Sequence, residues 1–289
     1  MSYVIVTDAT ADLSSEMVQN FSQIRILPMQ IEIGGHSCFY GRPDALTADQ
    51  FYTLQRDGSY ASTSQISPGM YSEYWEPYLE RGDDILYLCF SSGMSGTLMS
   101  AQIAAEELKE RWPQRKILIA DTLAGSVGEG LLVYEAARKQ SAGMALDDLY
   151  AWVLAHRMEV CHRFTVDRFD HLQHGGRVSA AAAAVGTMLQ IKPMLSVDEQ
   201  GKLVVIQKPR GRKKAISALV SQMEAGWRPE ISRTVIVGHG GNPEIARELY
   251  DSVAASFPEA ELHISEIGPV IGAHTGPDML ALTYWGNNR

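Results

Sequence analysis

Short aliphatic runs alternate with amphipathic segments along the first half of the chain. Tyr3–Thr7, Ile85–Phe90 and Lys116–Ala120 are brief apolar stretches that end in polar or glycine-containing turns, which is typical of strands buried on both faces. Strands and helices that alternate in this way predict an α/β layer with a mainly parallel sheet. The helical patterns are Thr47–Arg56, with Thr47 as its N-cap, Met70–Leu79, Ser95–Trp112 and Gly125–Gln140.

The pattern changes near residue 158, where a helix at Ala151–Met158 gives way to a strand at Cys161–Val166. Two further strands, Lys192–Val197 and Lys202–Gln207, are predicted to pair through a turn at Asp198–Gly201. The second half therefore predicts an α+β domain of residues 159–289 after an N-terminal α/β domain of residues 1–158. Its other predicted elements are a small-residue helix at Ser179–Leu189, a helix from about Gly211, a strand at Thr234–Val237, a helix at Pro243–Ser256 and a strand at Glu261–Ile264.

Composition narrows the classes of partner. The 289 residues carry a formal net charge of −9, which repels nucleic acid phosphates and anionic membrane surfaces. No segment approaches the roughly 20 apolar residues of a membrane-spanning helix, and the N-terminus lacks the pattern of a signal peptide. We therefore expect a cytoplasmic protein with no integral membrane segment and no nucleic acid partner. Three widely spaced cysteines suggest neither disulfides nor zinc, and Cys89 is expected to be buried.

The most informative segment is Ser91–Thr97, which follows a predicted strand and precedes a predicted helix. It contains four hydroxyl side chains and two glycines. Unpaired N–H groups at a helix start attract anions, glycine lets an anion approach the backbone, and serine adds a neutral donor. The segment therefore predicts an anion site, unless Ser95 merely caps the helix.

Two other polar segments are candidates for the same site. Ser62–Gln65 is rich in hydroxyls, although it also fits an ordinary loop before a helix that starts at Pro68. Ile267–Pro277 contains three glycines and two prolines around His274 and Thr275, and we expect a stiff loop that presents the histidine.

Catalytic and metal chemistry have weaker signals. A serine-dependent acyl hydrolase or transferase using Ser95 and His274 is the alternative function, although the G-x-S-x-G pattern would need glycine where Thr97 stands. His171 and His174 have nearby aspartates but no matching ligand motif, so we expect no metal. A sensor of some other anionic metabolite is a third possibility.

Together, the segments resemble the DegV family nearly from end to end. The matching stretches are Asp8–Leu13, Thr63–Gln65, Ser91–Thr97, Asp121–Gly130, Leu172–Ser179, Ile191–Pro193, Arg210–Ala215 and Gly268–Pro277. The resemblance implies a two-domain α/β protein that holds a long-chain fatty acid between its domains and presents the carboxylate to a separate kinase subunit, which makes acyl phosphate. In that role the protein is a non-catalytic lipid carrier that needs no cofactor.

The resemblance also assigns residues. It implies that Thr63, Ser95 and His274 bind the carboxylate. Arg210 and Arg212 lie in the basic segment that it associates with docking of the kinase. The supporting positions of the carboxylate site are Ser64, Ser92, Gly96, Thr97, Arg177 and Thr275.

Two positions depart from the family pattern. Ile66 stands where proline is common, and Asp278 where glycine is common; the second adds a negative charge after the loop that carries His274. The sequence does not locate the tail pocket. Its candidate walls are Ala180–Ala184, Met188, Leu189, Met194, Val270 and Ile271.

Overall fold

The computed structural model describes residues 2–19, 21, 23–178, 190–287 and 289. Its strands are β1 (Tyr3–Asp8), β2 (Ile24–Leu27), β3 (Met29–Ile33), β4 (His36–Tyr40), β5 (Ala61–Thr63), β6 (Asp84–Cys89), β7 (Ile117–Asp121), β8 (Val160–Thr165), β9 (Met194–Val197), β10 (Leu203–Gln207), β11 (Thr234–His239), β12 (Glu261–Glu266) and β13 (Leu280–Trp285). Its helices are α1 (Ser15–Gln19), α2 (Ala48–Arg56), α3 (Pro68–Glu80), α4 (Thr97–Arg111), α5 (Val127–Ser141), α6 (Leu146–His156), α7 (Asp170–His174), α8 (Arg212–Glu224), α9 (Pro243–Ser256) and α10 (Pro269–Thr275), with a 3₁₀ turn at Arg157–Glu159.

The predicted parallel sheet is present in the first half of the chain. Its strand order is β2-β1-β6-β7, and every pair is parallel. All six residues of β6 are buried, as expected for a central strand covered on both faces. The carboxyl ends of β1 and β6 lie side by side, so the segments that follow Asp8 and Cys89 share one edge of the sheet.

The second half forms a six-stranded mixed sheet in the order β10-β9-β8-β13-β11-β12. Only β11 and β12 pair in parallel, and the other neighbours are antiparallel. The predicted hairpin is confirmed, because β9 and β10 pair around residues 198–202. This arrangement matches the predicted α+β character.

Helices α5 and α6 form a layer between the two sheets. Helix α5 contacts β1 on one side and β8, β11 and β13 on the other. Its residues from Val127 to Ala137 are all buried. Helices α3 and α4 cover the opposite face of the parallel sheet, while α8 and α9 cover that of the mixed sheet. The order of layers is therefore α/β/α/β/α. The division at residue 158 stays a prediction.

A third sheet was not predicted. Strands β4, β3 and β5 form a small antiparallel sheet, in which Thr63 at the end of β5 pairs with Ile31. Helix α10 belongs to the second half of the chain by sequence but packs against β3, β5 and α2 of the first half. Val270 and Ala273 accordingly join the apolar cluster of the N-terminal half.

The expectation of a loop at Ile267–Pro277 is wrong. Residues 269–275 form α10, with Pro269 in its first turn and Gly276 after its end at φ 75°. Proline fits the first helical turn and glycine the left-handed position after the last one, so they bound this helix rather than prevent it. The predicted helix at Ser179–Leu189 lies outside the described residues. No described helix is long and apolar enough to cross a membrane.

Candidate functional site

A cavity of about 280 Å³ lies where the two halves of the chain meet. Within the described part of the chain, its lining combines apolar side chains with hydroxyls, two glycines, two imidazoles, two arginines and a glutamine. Among the residues expected at the carboxylate site, those that line the cavity are Thr63, Ser64, Ser95, Gly96, Arg177, His274 and Thr275. Four segments distant in sequence thus contribute to one cavity.

Thr63 and His274 are in direct contact. Thr63 ends β5 and His274 lies in the last turn of α10, and Oγ1 of the threonine is 3.0 Å from Nε2 of the histidine. The packing of α10 against β5 produces this contact. When Nε2 carries the proton, it donates to Thr63, and the threonine hydroxyl proton is then free for a ligand.

His274 is neutral at physiological pH. Burial, helped by the nearby positive charge of Arg177 and by His174, lowers the pKa of His274 to about 4. Its second nitrogen, Nδ1, is buried and has no hydrogen-bond partner within the described part of the chain. The imidazole therefore acts as a neutral hydrogen-bonding group rather than as a cation.

Ser95 lies in the turn between β6 and α4. Its hydroxyl is 2.8 Å from that of Thr97 and accepts a hydrogen bond from the backbone N–H of Thr97 at 3.2 Å. Ser95 thus partly caps the helix, while Gly96 occupies the N-cap position without a side-chain bond. The end of the flexible Gln65 side chain lies against Gly96, so the two donor segments are in contact there. We call Thr63, Ser95 and His274 the donor cluster.

The hairpin of the mixed sheet holds the turn that carries Ser95. Ser91 donates to the carbonyl of Gly201 at 2.8 Å. A side chain at Gly93 would collide with the carbonyl of Gln200. The serine-rich turn is therefore fixed by the second half of the chain.

Thr97, Thr275, Arg177 and Ser92 have three kinds of surroundings. Thr97 is fully buried behind Ser95, and the hydroxyl of Thr275 donates to the carbonyl of Ile271. Arg177 is exposed at the rim and donates to the carbonyls of Met94 and Gly175. Ser92 points elsewhere, because its hydroxyl donates to Asp121 at 2.5 Å.

The two arginines expected to dock a kinase differ in their surroundings. Arg210 is exposed. Arg212 pairs with Asp167, which also takes Lys192 at 2.7 Å, and donates to the carbonyl of Asp278. Arg212 therefore has a structural partner inside the protein.

Apolar side chains form most of the rest of the cavity. Val270 and Ile271 line it as expected, but Met194 does not, because it packs into the cluster under α8 and α9. Residues 180–184, Met188 and Leu189 lie outside the described residues. Sequence reasoning missed the other apolar walls, which are Met29, Phe90, Met94, Val127, Phe164, Leu172, Val197, Leu203, Met279 and Ala281.

A second polar group lies beside the first turn of α5. Thr10, Ser126 and His162 line the cavity there. The hydroxyl of Thr10 lies within hydrogen-bonding distance of the buried carboxyls of both Asp8 and Glu129, and Ser126 donates to Asp12 at 2.7 Å. Burial raises the pKa of all three carboxyl groups. We call Asp8, Asp12 and Glu129 the acid cluster; sequence reasoning gave none of the three a role.

The geometry does not favour a serine hydrolase. Ser95 bonds to Thr97, His274 bonds to Thr63, and within the described residues no hydrogen bond joins Ser95 to His274. His274 Nδ1 also lacks the acidic partner that orients a catalytic histidine. In the same part of the chain, no group of three or more His, Cys, Asp or Glu side chains is arranged to hold a metal ion.

Comparison with known proteins identifies the family. The family described as "Uncharacterised protein, DegV family" matches residues 2–287. A DegV domain-containing protein of Clostridium perfringens is 39% identical over 287 residues, which are 99% of this chain and 98% of that protein. The chain belongs to the DegV family.

Solved structures of DegV proteins share the fold. A DegV family protein of Thermus thermophilus, described as binding fatty acid, has a TM-score of 0.86 and 28% identity, covering 99% of this chain and 100% of that one. DegV of Bacillus subtilis, described as a fatty acid binding protein, has a TM-score of 0.83 with the same identity and coverage. The fatty acid kinase B3 protein of Streptococcus pneumoniae, solved with linoleic acid, has a TM-score of 0.86 at 21% identity and 99% and 100% coverage, which shows the fold alone.

The two departures from the DegV pattern have structural explanations. Asp278 adopts φ 60°, a left-handed conformation that suits glycine and that aspartate tolerates better than most residues. Its carboxylate accepts hydrogen bonds from Arg56 and Asn242, so its charge is compensated there. Ile66 is 1% exposed and fills the apolar cluster under α2 and α3.

Proposed function

We propose that this DegV protein binds one long-chain fatty acid, with the carboxylate at the donor cluster and the tail among the apolar walls of the cavity. The observation that carries the proposal is the contact between Thr63 and His274 in a cavity that also has twelve apolar side chains of the described residues in its lining. Solved DegV proteins 28% identical to this chain, described as binding fatty acid, support the same ligand class.

The alkyl tail and the carboxylate of the fatty acid contribute differently to binding. Burial of an alkyl chain contributes about 0.8 kcal/mol per CH₂, so the tail supplies most of the affinity. Hydrogen bonds from Thr63 and Ser95 to a carboxylate contribute roughly 1.5–3 kcal/mol each. Neutral donors orient the carboxylate and leave its negative charge in place, whereas a lysine would neutralise that charge. Gly96, Ser64, Thr275 and Arg177 support this end of the cavity.

We further propose that the bound carboxylate is presented to a separate kinase subunit that phosphorylates it. A carrier without its own base or nucleophile pair needs an external catalyst to act on the ligand. Exposed Arg210 is the proposed docking residue, and Arg212 supports the segment through Asp167.

The first experiment tests binding. Native mass spectrometry of the purified protein, with organic extraction of the ligand, is expected to find one fatty acid per chain. Fatty acid affinity is then measured for Thr63→Ala and Ser95→Ala, with Ser92→Ala as the control because its hydroxyl faces Asp121. Each of the first two is expected to weaken binding about 10- to 150-fold. Lack of any bound or titratable fatty acid would refute the proposal.

The second experiment tests presentation. With ATP and a DegV-associated kinase subunit, Arg210→Glu is expected to reduce acyl phosphate formation at least about tenfold without altering fatty acid affinity. Arg247→Glu is the matched control, since Arg247 is an exposed arginine on α9 whose partner is Asp251. Equal rates for both variants would exclude Arg210 as a docking residue.

A further inference from the structure

Helix α10 receives polar contacts as well as apolar packing from the first half of the chain. Tyr52 donates to the carbonyl of Ile267 at 2.8 Å, and Gln55 donates to that of Gly272 at 2.9 Å. The side chains of both residues are buried. At seven residues, α10 is too short to be stable without such tertiary contacts, so the position of His274 depends on them.

Asp12 makes the contact at the start of this helix. Its Oδ1 accepts a hydrogen bond from the backbone N–H of Gly268 at 2.8 Å, and its carbonyl accepts one from Ser265. A side chain at Gly268 would lie 2.9 Å from that carboxylate oxygen and also collide with Tyr40. The chain before α10 is thus packed directly on Asp12.

The other carboxylate oxygen of Asp12 reaches the start of a second helix. Oδ2 accepts from Ser126 at 2.7 Å, and Ser126 precedes α5 with φ 55°. A non-glycine residue rarely keeps this conformation without a compensating contact. Asp12 therefore joins the segment after β1 to the first residues of two helices that both line the cavity.

We infer that Asp12 is a positioning residue, which holds α10 at its N-terminal end so that His274 stays within hydrogen-bonding distance of Thr63. The inference rests on the proposed function for its consequence, since His274 is part of the donor cluster. Seven helical residues span about 10 Å, so a shift at Gly268 is transmitted along one short rigid element to His274. Loss of the carboxylate also leaves the N–H of Gly268 unpaired in a buried place.

Three variants separate positioning from general stability. Asp12→Ala removes both side-chain contacts. Asp12→Asn keeps an oxygen for the N–H of Gly268 and places an N–H group beside the hydroxyl of Ser126. It is therefore expected to keep α10 in place and to retain fatty acid affinity. Asp84→Ala is the matched control, because Asp84 is also a buried carboxylate that accepts a backbone N–H, that of Lys116 at 2.9 Å, but its contacts lie beside β7 rather than at the start of α5 or α10.

The first readout is the imidazole of His274, followed by NMR in the ligand-free protein. In the wild type and in Asp84→Ala, the pKa of His274 is expected to stay at about 4. In Asp12→Ala it is expected to move toward the ordinary value of about 6.5, because a displaced α10 exposes the ring to water. An unchanged His274 pKa in Asp12→Ala would overturn the inference. If that variant does not fold, Asp12→Ser, whose hydroxyl is too short to reach Gly268, is judged by the same criterion.

The second readout is fatty acid affinity. Asp12→Ala is expected to weaken fatty acid binding at least about tenfold, as expected for loss of one hydrogen bond to the carboxylate, whereas Asp12→Asn stays within about threefold of wild type. An equal loss in Asp12→Ala and Asp84→Ala would assign Asp12 a purely structural role. If the wild type binds no fatty acid, the proposed function fails, but the NMR result still decides whether Asp12 positions His274.

Discussion

The donor cluster lines the cavity, and the acid cluster lies directly behind Thr10 and Ser126, which also line it. The two clusters have opposite balances of hydrogen-bond donors and acceptors. In the donor cluster, two hydroxyls and a neutral imidazole bond to one another or to Thr97, without a carboxylate among those partners. In the acid cluster, the hydroxyls of Thr7, Thr10 and Ser126 are taken up by three buried carboxyl groups. The first cluster has donors to offer an anion, and the second has none.

The acid cluster contains more acceptors than its hydroxyl protons can serve. The hydroxyl of Thr10 contacts both Asp8 and Glu129, and that of Thr7 contacts Glu129 and the carbonyl of Leu88. Each hydroxyl has only one proton to donate, so a protonated Glu129 supplies a further donor. Burial and the nearby Asp8 raise the pKa of Glu129 well above its usual value, which agrees with this state. Polar residues beside a cavity therefore predict an anion site only when their donors are not already used.

The largest effect on fatty acid affinity is expected when a carboxylate is introduced into the donor cluster. Ser95→Asp places a carboxylate beside the bound one, and two such charges about 4 Å apart repel by roughly 4 kcal/mol at an effective dielectric constant of about 20. Fatty acid affinity is expected to fall at least about 100-fold by displacement of a fluorescent fatty acid. Ser95→Asn, which stays neutral and keeps a donor, is the control. Equal affinities for the two variants would contradict the comparison.

A smaller effect, on the pH dependence of stability, is expected when Glu129 of the acid cluster is replaced by a side chain that cannot ionise. Because the pKa of Glu129 is higher in the folded protein than its unfolded value of 4.5, folding binds a proton. The stability from this group is complete below pH 4.5 and declines as the pH rises through the folded pKa, by at most about 1.4 kcal/mol per pH unit. Glu129→Gln mimics the protonated acid, so it is expected to flatten this decline.

Urea unfolding at pH 5 and pH 8 measures the difference. The matched control is Glu135→Gln, because Glu135 is a buried carboxylate paired with Arg138 at 3.2 Å, and its loss is expected to destabilise at both pH values. If Glu129→Gln destabilises as much at pH 8 as Glu135→Gln, Glu129 is charged in the folded protein and the proton count is wrong.

Local pattern predicted the elements that carry their own signal. The aliphatic strands β1, β6 and β7 and the capped helices were predicted within a few residues, including the N-cap at Thr47, which forms a full capping box. The small sheet was not, because β5 has only three residues and is stabilised by pairing with β3, which ends 28 positions before it. Such short strands depend on tertiary partners rather than on their own sequence.

The same limit applies to the site. The resemblance to the DegV family singled out Thr63 and Ser95, and local composition had marked the hydroxyl-rich segments that contain them. Local composition shows donors. It does not show where the acceptors are: the contact between Thr10 and Glu129 spans 119 positions. Helix α10 was missed because proline and glycine were interpreted as loop formers, whereas here they begin and end a helix.

A still smaller effect is expected at Asp278, which follows α10 and pairs with Arg56. Asp278→Gly removes the strain of a non-glycine residue in a left-handed conformation but loses the ion pair with Arg56. The side chains of Arg56 and Asp278 are 41% and 30% exposed. An exposed pair contributes about 0–1 kcal/mol and the strain is of similar size, so unfolding free energy is expected to change by less than about 1 kcal/mol. Asp278→Val, which suits that conformation poorly, is expected to cost more. A marked gain in fatty acid affinity for Asp278→Gly would mean that its charge reaches the cavity.

The smallest expected change is in the donor cluster between pH 6 and pH 8. The folded pKa of His274, about 4, lies below its unfolded value of 6.5, so folding disfavours the protonated ring. Stability from this residue is complete above pH 6.5 and declines as the pH falls through about 4. Fatty acid affinity is therefore expected to be flat from pH 6 to pH 8, provided that the bound carboxylate leaves His274 neutral. Calorimetric titration in buffers of different ionisation enthalpy counts the protons taken up on binding. Uptake of one proton near pH 7 that disappears in His274→Gln would mean that the carboxylate recruits an imidazolium, and the donor cluster would then hold its ligand by charge rather than by neutral hydrogen bonds.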